Sequence, residues 1–257
     1  MNLTKAQRRK HAESFFFERA QGLLTCWPMG TVDATGEEPD IVVIGPNSRY
    51  GIEVTEMLRD GVRAIEETRR LICEKAQKLF LRSLNADCLD VKVVFRNHAK
   101  LNPRVLEAVA TGLAAIVLSR IPSIPTGVFA ARLEEGTDFE SDLFASIWLH
   151  HHPSCPRSRW QPVGAWWVPV ASAEKVQATI DKKECKVAAY RKRVEEVWLL
   201  IVLQGFSGSA SWSVDDAVFS HRFSTTFNGV VLLDYAMNRA SLLSVKGDGK
   251  YDLQLVE

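Results

Sequence analysis

Asp40 and Glu53 are the residues best placed to do chemistry in this chain. Asp40 opens the run Asp40-Ile41-Val42-Val43-Ile44, and Glu53 lies inside Tyr50-Gly51-Ile52-Glu53-Val54-Thr55. Two carboxylates held side by side on a sheet repel each other. A divalent cation ligated by carboxylate oxygens and water compensates that repulsion. The pair therefore points to a Mg²⁺ or Mn²⁺ site, and through it to phosphodiester hydrolysis, in which a metal polarises the phosphoryl group and acidifies a bound water. A plainer reading is a solvated sheet face on which two acids happen to be neighbours.

The second residue of interest is Lys183. On a helix starting after Ser172, Val176, Ile180, Val187, Tyr190 and Val194 all project within about 60° of Lys183, so a lysine sits in the middle of the apolar stripe. Burying its charge without a partner is expensive, and a carboxylate on the sheet that receives the stripe would be that partner. Asp40 and Glu53 are the acids available. The other reading lets the ammonium snorkel to the helix rim while the stem stays in the core.

These groups need a hairpin and a helix to position them. Both arms of the hairpin are rich in Ile and Val, as strands prefer, and Gly45-Pro46-Asn47-Ser48 between them are all turn formers. A turn centred between Pro46 and Asn47 pairs Ile44 with Arg49 and Val42 with Gly51, and brings Asp40 opposite Glu53, with paired Cβ atoms roughly 5 Å apart. Period 2 then puts Glu53 and Thr55 on one face, Ile52 and Val54 on the other. Further along, periodicity predicts helices over about 5–24, 58–84, 102–120 and 176–195, the last with Ser172 as N-cap and Glu174 in the first turn. It predicts strands at Leu89–Phe95, Val197–Leu203, Val230–Leu233 and Leu242–Val245. Val197–Leu203 is unbroken apolar sequence, as a central buried strand requires. The expected architecture is α/β, a mixed sheet flanked by helices. It forms a single domain over 1–257 with a Pro/Trp-rich insertion at about 121–170.

Composition narrows the class. With 46% hydrophobic and 25% charged residues the chain is of ordinary globular type. A net charge of +1 means that any nucleic-acid surface must be a local patch. The five cysteines form no CxxC pair, which suits a reducing, cytoplasmic setting. The opening residues lack an apolar signal core. No apolar run reaches spanning length, so no membrane partner is expected.

Pro39-Asp40 followed by Glu53-Val54-Thr55 on the next strand resembles the PD-(D/E)xK nuclease superfamily, which includes the restriction endonuclease-like folds. Its pattern is an Asp, then Glu-x-Lys, on adjacent strands. Thr55 stands where the lysine would be, and in some branches the lysine moves to a flanking helix, a role that Lys183 would take here. Lys186 and Tyr190 are similar to a Gln-x-x-x-Tyr element of exonuclease-type branches, with Lys for Gln. More locally, Gly51–Thr55, the run from Ile180 through Trp198 to Ser207, and Phe227–Asp234 resemble a bacterial family without an assigned activity. The resemblance implies a metal-dependent nuclease acting on DNA rather than RNA, with a role in defence against foreign DNA. Asp40 and Glu53 would hold the metal, and Lys183 would orient water or neutralise charge on phosphorus. Lys186 and Tyr190 would serve the substrate phosphates, and Glu18 from the first helix would be an extra ligand. A homodimer would suit cutting of both strands. The alternative on the same fold is a catalytically inactive module that binds nucleic acid or protein.

Other residues carry weaker chemistry. His150-His151-His152 with Cys155 suggests zinc, but adjacent histidines in an extended segment point to alternate sides, so a polar loop is the simpler expectation. Trp160, Trp166 and Trp167 beside Arg157 and Arg159 could stack bases or seal a core edge. Lys5, Arg8, Arg9 and Lys10 could meet nucleic acid or form a solvated helix face. Gly205-Phe206-Ser207-Gly208 is no P-loop, and nothing nearby marks Cys185 as a nucleophile.

Overall fold

The computed structural model describes residues 4–34, 36, 38–84, 88–96, 103–121, 127–154, 157–164, 168–205 and 207–246. In chain order the elements begin α1 (Lys5–Gln21), β1 (Thr31–Asp33), β2 (Ile41–Ile44), β3 (Arg49–Glu56) and α2 (Val62–Ser83). Next come β4 (Leu89–Phe95), α3 (Leu106–Arg120), β5 (Phe129–Glu134), β6 (Phe144–His151), β7 (Arg159–Val163) and β8 (Val170–Ala171). The chain continues through α4 (Ala173–Glu184), α5 (Val187–Tyr190), β9 (Glu196–Leu203), β10 (Ser213–Val214) and α6 (Asp216–Ser220). It ends with β11 (Phe223–Ser224), β12 (Gly229–Asp234), β13 (Arg239–Leu243) and β14 (Val245–Lys246). They fall into two compact units, one of Met1–Arg59 with Val168–Glu257 and one of Asp60–Trp167.

The first unit is built on a six-stranded sheet of order β1-β2-β3-β9-β12-β13. β3, β9 and β12 run parallel, while β1·β2, β2·β3 and β12·β13 are antiparallel. The sheet is therefore mixed, and helices cover both of its faces. Strand alternation sends Ile41, Val43, Ile52, Val54, Trp198, Leu200 and Val202 to one side, where they pack on Phe16, Phe17 and Ala20 of α1 and on Trp27. Val197, Leu199, Ile201 and Leu203 turn to the other side and pack on Val176, Ile180, Val187 and Tyr190. β9 is buried from Val197 to Leu203, as its apolar run predicts. α1 starts in a capping box: the Thr4 hydroxyl accepts from the Gln7 amide at 3.2 Å, and the Gln7 side chain accepts from the Thr4 amide at 2.9 Å.

The second unit packs α2 and α3 on one face of a four-stranded sheet, β5-β6-β4-β7. Its core holds Phe80, Leu113 and Val117 from the helices and Leu89, Val91, Val93, Ile147 and Leu149 from the strands. The segment expected at about 121–170 to hold short strands and loops supplies β5, β6 and β7 here, with β6 eight residues long.

Helix boundaries differ from expectation: α1 ends at Gln21 rather than about 24, and α3 starts at Leu106 rather than about 102. α2 begins at Val62 because Gly61 holds φ at 76°, a left-handed conformation that ends any helix before it and favours glycine. The helix expected over 176–195 starts at Ala173 and stops at Glu184. The Lys186 amide bonds the Lys183 carbonyl at 3.1 Å, a tightened turn, and one further turn follows as α5. Ser172 is the N-cap residue, but its side chain makes no capping bond. The chain then enters β9 early, because Glu195 is captured by β3. Its amide donates to the Arg49 carbonyl at 3.0 Å, and its carboxylate accepts from the Arg49 amide at 2.6 Å.

Candidate functional site

The hairpin has the expected register, with Ile44 opposite Arg49 and Val42 opposite Gly51. The Gly45 amide closes the turn on the Ser48 carbonyl at 2.9 Å. β2 ends with Ile41 paired to Ile52, and Asp40 lies one residue beyond. There the side chain takes over from the backbone ladder: Asp40 Oδ2 accepts from the Val54 amide at 2.8 Å. Gly51 permits this entry. A Cβ at residue 51 would meet Pro39 Cγ at 2.8 Å and Val194 Cγ2 at 3.0 Å, so only glycine lets Pro39 seat against the strand.

Glu53 is fully buried on the face covered by α4 and α5, among Leu199, Ile201 and Ile180. An ionised carboxylate in such a layer must be paired and hydrogen-bonded. Lys183 Nζ lies 2.7 Å and Lys186 Nζ 2.9 Å from Oε1, while the Tyr190 hydroxyl donates to Oε2 at 2.6 Å. The two ammonium side chains stay 23% and 32% exposed, so each stem runs through the core to a head at the rim. Lys183 thus satisfies both expectations raised for it, since it snorkels in part and still meets the sheet carboxylate.

α1 supplies a second set of groups, from the Asp40 side. Arg9 Nη2 stands 3.4 Å from Asp40 Oδ1, and Arg9 Nε donates to Glu13 Oε1 at 2.6 Å. Lys10 Nζ lies 3.6 Å from Glu13 Oε2 and donates to the Asp40 carbonyl. Glu13 is buried, whereas Glu18, the helical acid expected as an extra ligand, is exposed beside His11, Ser14 and Phe15. Sequence reasoning missed Glu13, and it read Arg9 and Lys10 as nucleic-acid contacts or a solvated helix face rather than as partners of Glu13 and Asp40. The available signal was spacing: Glu13 stands three and four residues before Phe16 and Phe17 and four after Arg9, which puts it at the edge of the buried stripe with a cation beside it.

Charge on the two acids is unevenly balanced. Burial, and then repulsion from Glu53, lift Asp40 to about 6, against the opposing pull of the Val54 amide. Burial pushes Glu53 upward too, but the bonds from Lys183, Tyr190 and Lys186 outweigh it and hold Glu53 below its ordinary value. Burial and the bond to Glu53 raise the Tyr190 phenol, which keeps its proton. Lys186 is raised as well, because the attraction of Glu53 exceeds the cost of desolvation.

Among the described residues, no three His, Cys, Asp or Glu side chains are grouped as a metal shell. Asp40 and Glu53 are the two carboxylates of this cluster that a cation would meet, and their oxygens already receive the Val54 amide, Arg9, Lys183, Lys186 and Tyr190. Mg²⁺ and Mn²⁺ are the cations that one or two carboxylates and several waters can hold.

The remaining candidates separate. His151 is turned inward, with Nδ1 2.7 Å from the Gly127 carbonyl. His150 stacks beside Trp148, and His152 Nδ1 accepts from the Ser154 amide. The three rings thus diverge, and Cys155 lies outside the described residues. Trp160 is a core residue packed on Phe80 at 5.3 Å, so it stacks no base; Trp166 and Trp167 lie outside the described residues. The chain matches no family model, no curated protein and no solved structure.

Proposed function

We propose that this chain is a Mg²⁺- or Mn²⁺-dependent nuclease acting on DNA, on a restriction endonuclease-like core formed by the six-stranded sheet unit. One observation carries the reading: Glu53, fully buried at the centre of the sheet, receives Lys183, Lys186 and Tyr190, while Asp40, one residue before the neighbouring strand, carries a raised pKa. Asp40 and Glu53 are the residues that would hold the cation, and the cation, when bound, supplies Lewis-acid activation of phosphate and water. Tyr190 fixes the second oxygen of Glu53 and so sets the direction of the first. Lys183 shares its ammonium protons between Glu53 and the attacking water or the charge developing on the phosphoryl oxygens. Lys186, more exposed at the rim, neutralises a neighbouring phosphate. Water oxygen bonds to phosphorus as the ester P–O bond breaks; the attacking water gives one proton to solvent, and the leaving oxygen takes one from solvent.

A cytoplasmic setting suits this reading, since Cys26, Cys73 and Cys185 are free thiols. No helix of the described residues is long and apolar enough to cross a membrane. A homodimer would let two sites act on opposite strands.

The test is conversion of supercoiled plasmid in Mg²⁺ or Mn²⁺, read beside Mn²⁺ titration calorimetry. Wild type should bind Mn²⁺ and cut. Asp40→Ala should lose both, and Lys183→Ala should keep metal binding while cleavage falls by about 10²-fold or more. One feature favours the inactive binding module instead: Glu53 Oε1 already carries two ammonium groups, and Thr55 stands in the usual lysine position. Wild type that binds no Mn²⁺ and cuts neither DNA nor RNA would select that reading.

A further inference from the structure

Among the described residues, the helices of the second unit pack on one face of its four-stranded sheet. Its inner residues, Val91, Val93, Leu133, Ile147, Leu149 and Trp160, are buried against α2 and α3. By alternation the outer face carries a row across the strands that the pairing sets out in order: Arg132 opposite Trp148, Trp148 opposite Lys92, Lys92 opposite Gln161. Trp148 is 37% exposed, although it lies well inside an interior strand of the sheet. The Arg132 guanidinium stands over the Trp148 ring, 4.8 Å from its centre. Two residues on, His150 presents a second ring inclined by only 17° to the first, with centres 6.5 Å apart. That is close to two base-stacking intervals of about 3.4 Å each.

We propose that this face binds single-stranded DNA. A near-parallel ring pair whose indole lies between Lys92 and Arg132 matches a nucleotide strand, whose bases stack against the rings while its phosphates meet the cations. Duplex bases keep their faces inside their own stack, so a duplex offers the rings nothing. Lys92 and Arg132 flank Trp148 across the sheet, and Arg159 lies one row away, opposite Asp90, which pairs with His150. Two acids share the face, Asp90 and Glu134, and Glu134 is ion-paired with Arg132. The cations therefore exceed the acids by one before His150 is counted, and the attraction is local and sensitive to salt. The surface stands on residues and on a unit separate from Asp40 and Glu53. Only the choice of DNA over RNA rests on the nuclease reading.

The experiment is fluorescence anisotropy of a labelled oligothymidylate of about 20 nucleotides, with the full chain, in EDTA and low salt. Wild type should bind, and Trp148→Ala should weaken binding about tenfold or more, the loss of one stacked base. Lys92→Glu with Arg132→Glu should weaken it further and flatten its salt dependence, and this second variant keeps the test sharp should Trp148→Ala fold poorly. Equal affinity of wild type and both variants overturns the proposal, as does wild type that binds no oligonucleotide at micromolar protein. Equal binding of a duplex overturns the single-strand assignment, and tighter binding of oligouridylate overturns DNA. Because EDTA removes metal chemistry, a protein that binds oligothymidylate through Trp148 but never cuts DNA sinks the nuclease reading alone.

Discussion

Replacing Asp40 with asparagine should stabilise the metal-free protein near neutral pH while removing its affinity for divalent cations. The folded protein lifts Asp40 from its ordinary 3.8 to about 6, and each tenfold gain in proton affinity corresponds to about 1.4 kcal/mol. Ionised Asp40 therefore costs the native state about 3 kcal/mol. The sign follows from proton counting. Between the two values the folded state binds more protons than the unfolded state. The contribution is thus fully present below about pH 4 and is lost as pH rises through about 6. Asparagine carries no charge to desolvate or to face Glu53, and its side-chain oxygen can still accept the Val54 amide. Arg9 loses its partner, which trims the gain, so an increase of about 1–3 kcal/mol is expected at pH 7.5. The assay is urea unfolding of both proteins in EDTA across pH 4.5–7.5, because their difference isolates this one group. The two should be nearly equal at the acid end and diverge toward neutrality. A difference that does not change with pH, or an asparagine variant less stable than wild type at pH 7.5, would refute the reasoning.

The same electrostatics govern the metal and the neighbours of the pair. Protons compete with Mn²⁺ for Asp40, so calorimetric affinity should be flat above about pH 7 and fall roughly tenfold per pH unit well below 6. Glu53→Gln leaves two ammonium groups and a phenol facing a neutral amide. Because both lysines reach the rim and can turn outward, the expected loss is about 2 kcal/mol, read by urea unfolding, rather than the larger cost of a sealed ion pair. Gly51→Ala drives a methyl into Pro39 and Val194 and should cost about 1–3 kcal/mol. It should also weaken Mn²⁺ binding, because Asp40 follows Pro39; unchanged affinity in a stable variant would detach Asp40 from that contact.

Local pattern carries much of the fold. Alternation gives Leu89–Phe95 its bounds, the turn residues set the pairing of Ile44 with Arg49, and seven consecutive apolar residues mark β9 as a strand covered on both faces. Pattern also places Lys183 on the stripe that meets Glu53, because a helix and a strand each have one period and a charged residue out of phase stands out. What stays hidden depends on distance along the chain. Arg9 and Glu13 come to Asp40 from α1; spacing puts Glu13 at the edge of the buried stripe, but nothing in the run Arg8–Glu13 names the distant acid that this edge meets. Trp148 is hidden because Phe144–His151 is apolar enough to read as core. Only pairing with Lys92 and Arg132 reveals which side of the strand faces out.

The division of the chain at Asp60 shows the same limit. Arg59 and Asp60 interrupt no periodicity, and no Pro/Ser/Gly-rich linker precedes Gly61. Yet the two units differ in a way that bears on function. The first covers both faces of its sheet with helices and so can bury an acid such as Glu53 between layers. Among the described residues the second packs its helices on one face and carries an indole, an imidazole, three cations and two acids on the other. A buried carboxylate gains its shifted charge from low dielectric, which an open sheet cannot supply. A stacking surface needs ring faces that solvent, and hence a base, can reach, which a closed sheet cannot supply. Chemistry on a phosphodiester and attachment to a strand thus make opposite demands on a sheet. A chain that does both has a physical reason to carry two.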